Sequence, residues 1–437
     1  MQFDPSAATS TASAAASERA GYGYDAPDLR IFMFALFFVF GGITSLNDVI
    51  IPKLKELFTL NYAQALLVQS AFFAAYAIVS IPAAAIVRRT GYMRTAALGL
   101  LTMMLGCLLF VPASRSATFG LFLFALFVLA AGITVVQVVA NPLISLLGPP
   151  QSSHSRLTFA QAFNALGTTV FPYVGSVLIL GNLATVDPKT LTGAALDAYR
   201  AAETHMVVMT YLGLAAALAL IALVVWSRRH RLKEEQAPRQ SVLHALDLLA
   251  RPRFGLGALC IFLYVGAEVA IGSLIVNYLM QPATLGLSAA EAGKHVPYYW
   301  GGALVGRFIG AYVLTHISPG KVLATVATGS ILLILLSANS VGAVSGWSLL
   351  AIGLMNSIMF PTIFSLASEG LGRRTAEGSG VIVTAIVGGA IIPPLTGYLA
   401  DRSGSLHLSL ALPAACYLVI AAYGLYTRRP ARPLEPA

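Results

Sequence analysis

Residues 212–233 read LGLAAALALIALVVWSRRHRLK, an uncharged apolar run that ends abruptly on Arg228, Arg229, Arg231 and Lys233. Its apolar residues follow one another without the period-two alternation of a barrel strand. Taken from residue 204 to 227, the segment is long enough, at 1.5 Å per residue, to cross a ~30 Å hydrocarbon core. The basic cluster marks where the chain leaves the bilayer. Phe32–Phe40 and Ile331–Leu336 have the same uninterrupted character. Unpaired backbone groups are costly in lipid, so a chain with this pattern crosses the membrane as helices.

The whole 437-residue composition points the same way: 57% of residues are hydrophobic and 10% charged, against about 25% charged in an ordinary soluble chain. A mean hydropathy of +0.78 excludes a soluble enzyme and leaves lipid as the solvent. The net charge of +9 does not indicate nucleic acid, because the basic residues recur in short clusters between apolar segments instead of gathering on one face. Cys107, Cys260 and Cys416 stand singly inside apolar segments, without metal spacing or an even count for bridging. They read as packing residues.

Twelve spans are predicted, at 31–51, 62–87, 94–112, 117–147, 156–181, 204–227, 254–280, 295–316, 320–338, 343–369, 376–400 and 406–427. Residues 1–29 are rich in Ala and Ser, lack the apolar core of a signal peptide and read as a disordered tail. With that tail in the cytoplasm, alternate loops carry 19 Lys and Arg on the cytoplasmic side and 7 on the other. The positive-inside rule then puts both termini in the cytoplasm of a cell inner membrane.

The polar, basic stretch 228–253, with Pro238 and Pro252, separates six spans from six and reads as a linker between an N-terminal bundle (30–227) and a C-terminal bundle (254–428), with 429–437 as a second tail. Gly167, Pro172 and Gly175 recur with identical spacing as Gly389, Pro394 and Gly397, offset by 222, and Pro142 and Pro361 differ by 219. Two matches at nearly one offset indicate a duplicated six-helix unit. The fold class is therefore an all-α membrane protein of twelve helices in two pseudo-symmetric bundles, the parallel repeat of alternating-access transporters.

Ionisable residues inside spans cost roughly 2.5 to 3.5 kcal/mol each on insertion scales and are functional candidates by default. Here they are Asp48, Glu268 and Arg307. Asp48 and Glu268 are offset by 220, nearly the repeat distance, so each bundle contributes one carboxylate. A carboxylate withdrawn from water holds a proton at neutral pH and releases it when water enters, which is what proton coupling needs. The structural alternatives are that Asp48 caps a helix end and that Glu268 pairs permanently with Arg307. Asn47 adjoins Asp48, Gln137 and Asn141 are four apart, and Gln161 and Asn164 are three apart. Amides donate and accept without adding charge, as recognition of a polyhydroxylated ligand requires; their other use is hydrogen bonding between helices. In the second half Tyr264 lies four residues from Glu268 and offers a ring to cover an apolar C–H face of a sugar, and Asn277 and Asn356 add amides. Trp300 reads as packing. No nucleophile–base–orienter set, metal cluster, cofactor motif or phosphate-binding Gly-Lys-Ser/Thr loop is present in the sequence.

SLNDVIIP (45–52), QVVANPL (137–143) with LGP (147–149), AQAFN (160–164), YVGAEVAIGS (264–273), GRF (306–308) and MNSIMFPTIF (355–364) together resemble the major facilitator superfamily, and within it the fucose-permease-like branch that includes bacterial glucose/galactose transporters. The resemblance implies sugar held between the bundles at mid-membrane and proton-coupled uptake, with Asp48 matching the branch's first-span proton carboxylate. Gln137 stands where fucose permease has a glutamate, which points away from fucose and toward the glucose/galactose subgroup and leaves the coupling ion open. In the superfamily's loop after the second span, Ala84 and Arg88 replace the usual glycine and aspartate, while Arg89, Gly91 and Arg94 remain. A gating salt bridge through that aspartate therefore cannot form.

The leading reading is a monomeric secondary transporter that imports a hexose with a proton. Sodium coupling or uncoupled carriage on the same fold is the nearest rival. A membrane sensor lacks a soluble output region, and a multidrug exporter would favour an apolar or aromatic cavity over paired amides.

Overall fold

The computed structural model describes residues 27–58, 62–116, 118–175, 193–231 and 242–429. In chain order its helices are α1 (Pro27–Phe58), α2 (Tyr62–Thr90), α3 (Tyr92–Ser116), α4 (Phe119–Leu146), α5 (Ser153–Gly175), α6 (Ala194–Ser227), α7 (Pro252–Met280), α8 (Ala289–Val313), α9 (Pro319–Asn339), α10 (Gly342–Asn356), α11 (Met359–Ser368), α12 (Thr375–Thr384), α13 (Gly388–Ser403), α14 (Leu406–Ser409) and α15 (Ala411–Tyr426). α10 runs on into α11, α12 into α13 and α14 into α15, so the described residues form twelve rods. Nine of these contain a stretch long and apolar enough to cross a membrane; α1, α5 and α8 complete the set. The chain is a multi-pass membrane protein.

Within the first six rods α3 packs on α4 and α6, α1 on α5 and α2 on α4; within the last six α9 packs on α15 and α10, α8 on α10, and α7 on α13 and α15. Lipid supplies no hydrophobic drive between helices, so they associate where small residues let backbones meet. A Cβ on Gly167 of α5 would lie 2.0 Å from the Phe38 carbonyl oxygen of α1, and one on Gly388 would lie 1.9 Å from that of Phe262 on α7. The two halves thus repeat one close crossing. Gly389, the sequence counterpart of Gly167, instead meets the Phe73 ring of α2.

Two boundaries differ from the sequence expectation. Helix α1 begins at Pro27, so Asp28 and Leu29 belong to it and not to a tail, with Leu29 buried. Inside the linker, residues Val242–Ala250 form a 3-10 helix whose Ala245 and Leu248 are buried, docked against α2, α7 and α12. Arg374 grips Asp247 there with two donors, Nη1 to Oδ2 at 3.0 Å and Nη2 to Oδ1 at 2.5 Å. That hydrogen bonding holds the Asp247 carboxyl below the usual carboxylate range. A depressed carboxyl contributes its stabilisation above the unfolded value, about 3.9, and loses it only as pH falls below, so the docked linker persists through neutral and mildly acidic pH.

The halves meet through α2 with α12, α5 with α8 and α11, and α4 with α12. Their polar contacts gather at one end. Arg88 at the end of α2 pairs with Glu377 of α12, both nearly buried. His154 of α5 bonds Ser365 of α11 through Nδ1 (2.5 Å) and Glu369 through Nε2 (2.8 Å), and Ser155 donates to the Ala311 carbonyl at 2.7 Å. The arginine that replaces the superfamily's aspartate therefore still serves a cross-bundle ion pair, with the sign of the charge reversed.

Candidate substrate and proton site

Proline places two of the site's anchors. Lacking an N–H, Pro361 leaves the Ser357 carbonyl four residues back without its helical donor, next to the interruption between α10 and α11. Arg307 of α8 supplies the missing donor from Nε at 3.1 Å. In the first half Pro142 likewise frees the Val138 carbonyl, which accepts from Ser379 Oγ of the opposite half at 2.8 Å. The repeated prolines open both rods to partners from elsewhere.

The C-terminal cluster is built on α7, α8 and α10. Tyr264 Oη lies 2.7 Å from Glu268 Oε1 and 3.0 Å from the Asn356 carbonyl oxygen. A phenol has one proton to donate. If it goes to an ionised Glu268, the Asn356 carbonyl loses it; if it goes to that carbonyl, the short contact with Glu268 requires a protonated carboxyl acting as donor. The Tyr264 hydroxyl is thus set to turn with the protonation of Glu268. Asn356 Nδ2 donates to Tyr299 Oη at 2.8 Å, and Tyr299 Oη to the Glu268 carbonyl at 3.3 Å. Asn356 Oδ1 and Tyr417 Oη are buried without a hydrogen-bond partner.

Arg307 and Glu268 do not form an ion pair. The guanidinium acts on the carboxylate through space, but its hydrogen bonds go to the Ser357 carbonyl and, across the bundle interface, to the Gln161 carbonyl of α5 at 3.3 Å. It therefore joins the two halves beside both polar clusters.

In the N-terminal half the amides pair differently from their helical spacings. Gln161 Nε2 donates to Asn141 Oδ1 at 3.0 Å, between α5 and α4, whereas Gln137 Nε2 donates to Tyr76 Oη at 3.1 Å. Asn164 Nδ2 donates to the Phe37 carbonyl of α1 at 3.3 Å. Asn141 Nδ2 is buried and unpartnered. Asn47 and Asp48 lie on α1, but their side chains fall outside the described residues. Two second-half candidates take other places: Asn277 is exposed near the far end of α7, and Tyr264, 1% exposed, positions Glu268 and offers no face for a sugar. Trp300 is exposed at 44%.

Tyr76, Tyr299, Tyr417 and the clamp residues His154, Glu369 and Glu377 had no marked signal in the sequence. Tyrosine in an apolar run reads as filling. The glutamates lie near span ends, where carboxylates are ordinary.

Two six-rod bundles clamped at one end, with a polar cluster in each half, form the architecture of an alternating-access membrane transporter. The chain belongs to the Major Facilitator Superfamily, whose sequence profile matches residues 32–386. It is 47% identical over 409 residues to the glucose/galactose transporter of Brucella abortus biovar 1 (strain 9-941), covering 94% of this chain and 95% of that one. It is 34% identical over 394 residues to the L-fucose-proton symporter of Escherichia coli (strain K12), covering 88% and 90%. The crystal structure of the superfamily transporter FucP in the outward conformation superposes with a TM-score of 0.84 at 32% identity, covering 91% of this chain and 98% of that one.

Proposed function

We propose that this transporter carries a hexose of the glucose or galactose type into the cell together with a proton, working as a monomer in the inner membrane with both termini cytoplasmic. The 47% identity, spread over nearly the whole length of both chains, with a glucose/galactose transporter carries this reading, and the likeness to a fucose-proton symporter supports the proton. The halves 30–227 and 254–428 rock about the bound sugar, linked by 228–253. Asp48 and Glu268 hold the proton; Asn47, Gln137, Asn141, Gln161, Asn164 and Asn356 supply hydroxyl contacts, with Tyr264 setting Glu268.

The decisive measurement is hexose-driven pH change in proteoliposomes, with and without sodium. Alkalinisation of the external medium as sugar enters, independent of sodium, is the expected result. Uptake that requires sodium and moves no proton would replace this reading with sodium symport, for which the amide at Gln137 leaves room.

Losing a buried hydrogen-bond partner costs roughly 1 to 3 kcal/mol, so alanine at two or more of Gln137, Asn141, Gln161 and Asn164 should weaken hexose binding about tenfold or more. Normal binding in all four variants, measured with radiolabelled sugar, would leave these amides only the interhelical role. For Glu268→Gln the pH series separates two roles: a proton site loses the pH dependence of transport, and a sugar ligand weakens binding equally at every pH. Unchanged transport and pH response would remove Glu268 from the mechanism.

A further inference from the structure

We infer that Arg30 and Arg156 hold the phosphate group of an anionic phospholipid, in the leaflet at the clamped end of the molecule. This site lies apart from the sugar and proton groups and does not depend on the transport reading.

Both arginines start neighbouring helices that leave the same end of the bundle, α1 and α5. They converge on one point: a Cβ on Gly148 would lie 3.4 Å from Arg156 Nη1 and 3.4 Å from Arg30 Cζ. Gly148 adopts φ +122°, a backbone region that L side chains avoid, which keeps that point clear. The two guanidinium groups are close enough for their charges to interact. Arg156 is 8% exposed, and its hydrogen bonds go to neutral acceptors only: the carbonyls of Ile144, Ser145 and Pro149, and Ser152 Oγ. Among the described residues Arg30 has no carboxylate partner, and its Nε, shielded from water, has no acceptor at all.

Four other arginines at this end are neutralised by carboxylates. Arg88 and Arg374 meet Glu377, Arg253 meets Glu369, and Arg231 meets Asp28. A buried guanidinium beside a half-buried one, with no carboxylate between them, is costly, and an anion from outside the chain relieves that cost. Phosphate oxygens match guanidinium donors in geometry and charge.

The surroundings select a lipid over a soluble anion. Arg156, Phe159 and Phe163 follow one face of α5, and Arg30 and Phe34 one face of α1, at helical spacings. Phe34 packs on Phe159 at 5.1 Å and on Phe163 at 5.5 Å, and Phe159 reaches Phe308 of α8 at 5.9 Å. Phe159 is 36% and Phe308 40% exposed, so a partly lipid-facing aromatic track leads away from the arginine pair toward the other bundle. A headgroup between the arginines can lay an acyl chain along that track and touch both halves.

The test uses the full-length protein in detergent, mixed with phosphatidylglycerol or phosphatidylcholine, with bound lipid counted by native mass spectrometry. Phosphatidylglycerol should be retained in preference to phosphatidylcholine, and excess inorganic phosphate should not displace it. One arginine at a membrane surface contributes about fivefold in affinity, so Arg30→Gln should weaken retention by about that factor and Arg30→Lys should keep most of it. Arg30 makes no hydrogen bond to the described chain, so the fold does not rest on it, and the wild-type choice between the two lipids is a test that needs no variant. Equal retention of both lipids, or full retention by a folded Arg30→Gln, would overturn the proposal. Displacement by inorganic phosphate would make this a soluble-anion site and overturn the lipid assignment.

Discussion

Asp48→Asn should abolish uphill accumulation of hexose while leaving exchange of labelled for unlabelled sugar across the membrane intact. The carboxyl lies in the first span beside an amide, offset by 220 from Glu268 of the other half. An amide matches it in size and hydrogen-bonding reach but cannot take up or release a proton. A substitution that removes only the proton cycle uncouples sugar movement from the proton gradient and leaves binding and rocking in place. Accumulation against a gradient and counterflow, measured on the same proteoliposomes, separate coupling from binding. Retained accumulation would refute the role of Asp48; loss of both activities would make it a sugar ligand.

Glu377→Gln should release the clamp at the end where the halves meet. Glu377 accepts from Arg88 of the opposite half and, at 2.8 Å, from Arg374 of its own, and its side chain is 6% exposed. Breaking a buried ion pair by removing one partner costs about 3 to 5 kcal/mol. The cost falls on the clamped conformation, because Arg88 regains water once the bundles part. A bias of roughly 3 kcal/mol is about a hundredfold change in the population of the two conformations. The reporter is Ser80→Cys, a nearly isosteric change at a buried position whose carbonyl abuts Gly380 of the other half. Its labelling by a membrane-permeant maleimide should rise strongly in the Glu377→Gln background, and Arg88→Gln added to that background should restore part of the protection. Unchanged labelling would show that packing alone closes this end.

Hydropathy is a local property, and so the twelve rods and the site of the linker could be read from runs of consecutive residues. The repeat of Gly167 and Pro172 in Gly389 and Pro394 also needed nothing but spacing. Ionisable residues inside spans stand out because lipid makes them costly, which is why Asp48, Glu268 and Arg307 were visible. Partner choice was not local. Gln161 is three residues from Asn164 in sequence yet bonds Asn141 on another rod, and Arg307 serves carbonyls that Pro361 and the bundle interface leave open in place of the nearest carboxylate. Each polar side chain could reach several partners along its own helix; the packing of neighbouring helices selected one. The reversed charge at Arg88 shows the same division: the loop's departure from the superfamily pattern was legible in the sequence, whereas its compensation by Glu377, 289 residues away, required the two halves to be folded against each other.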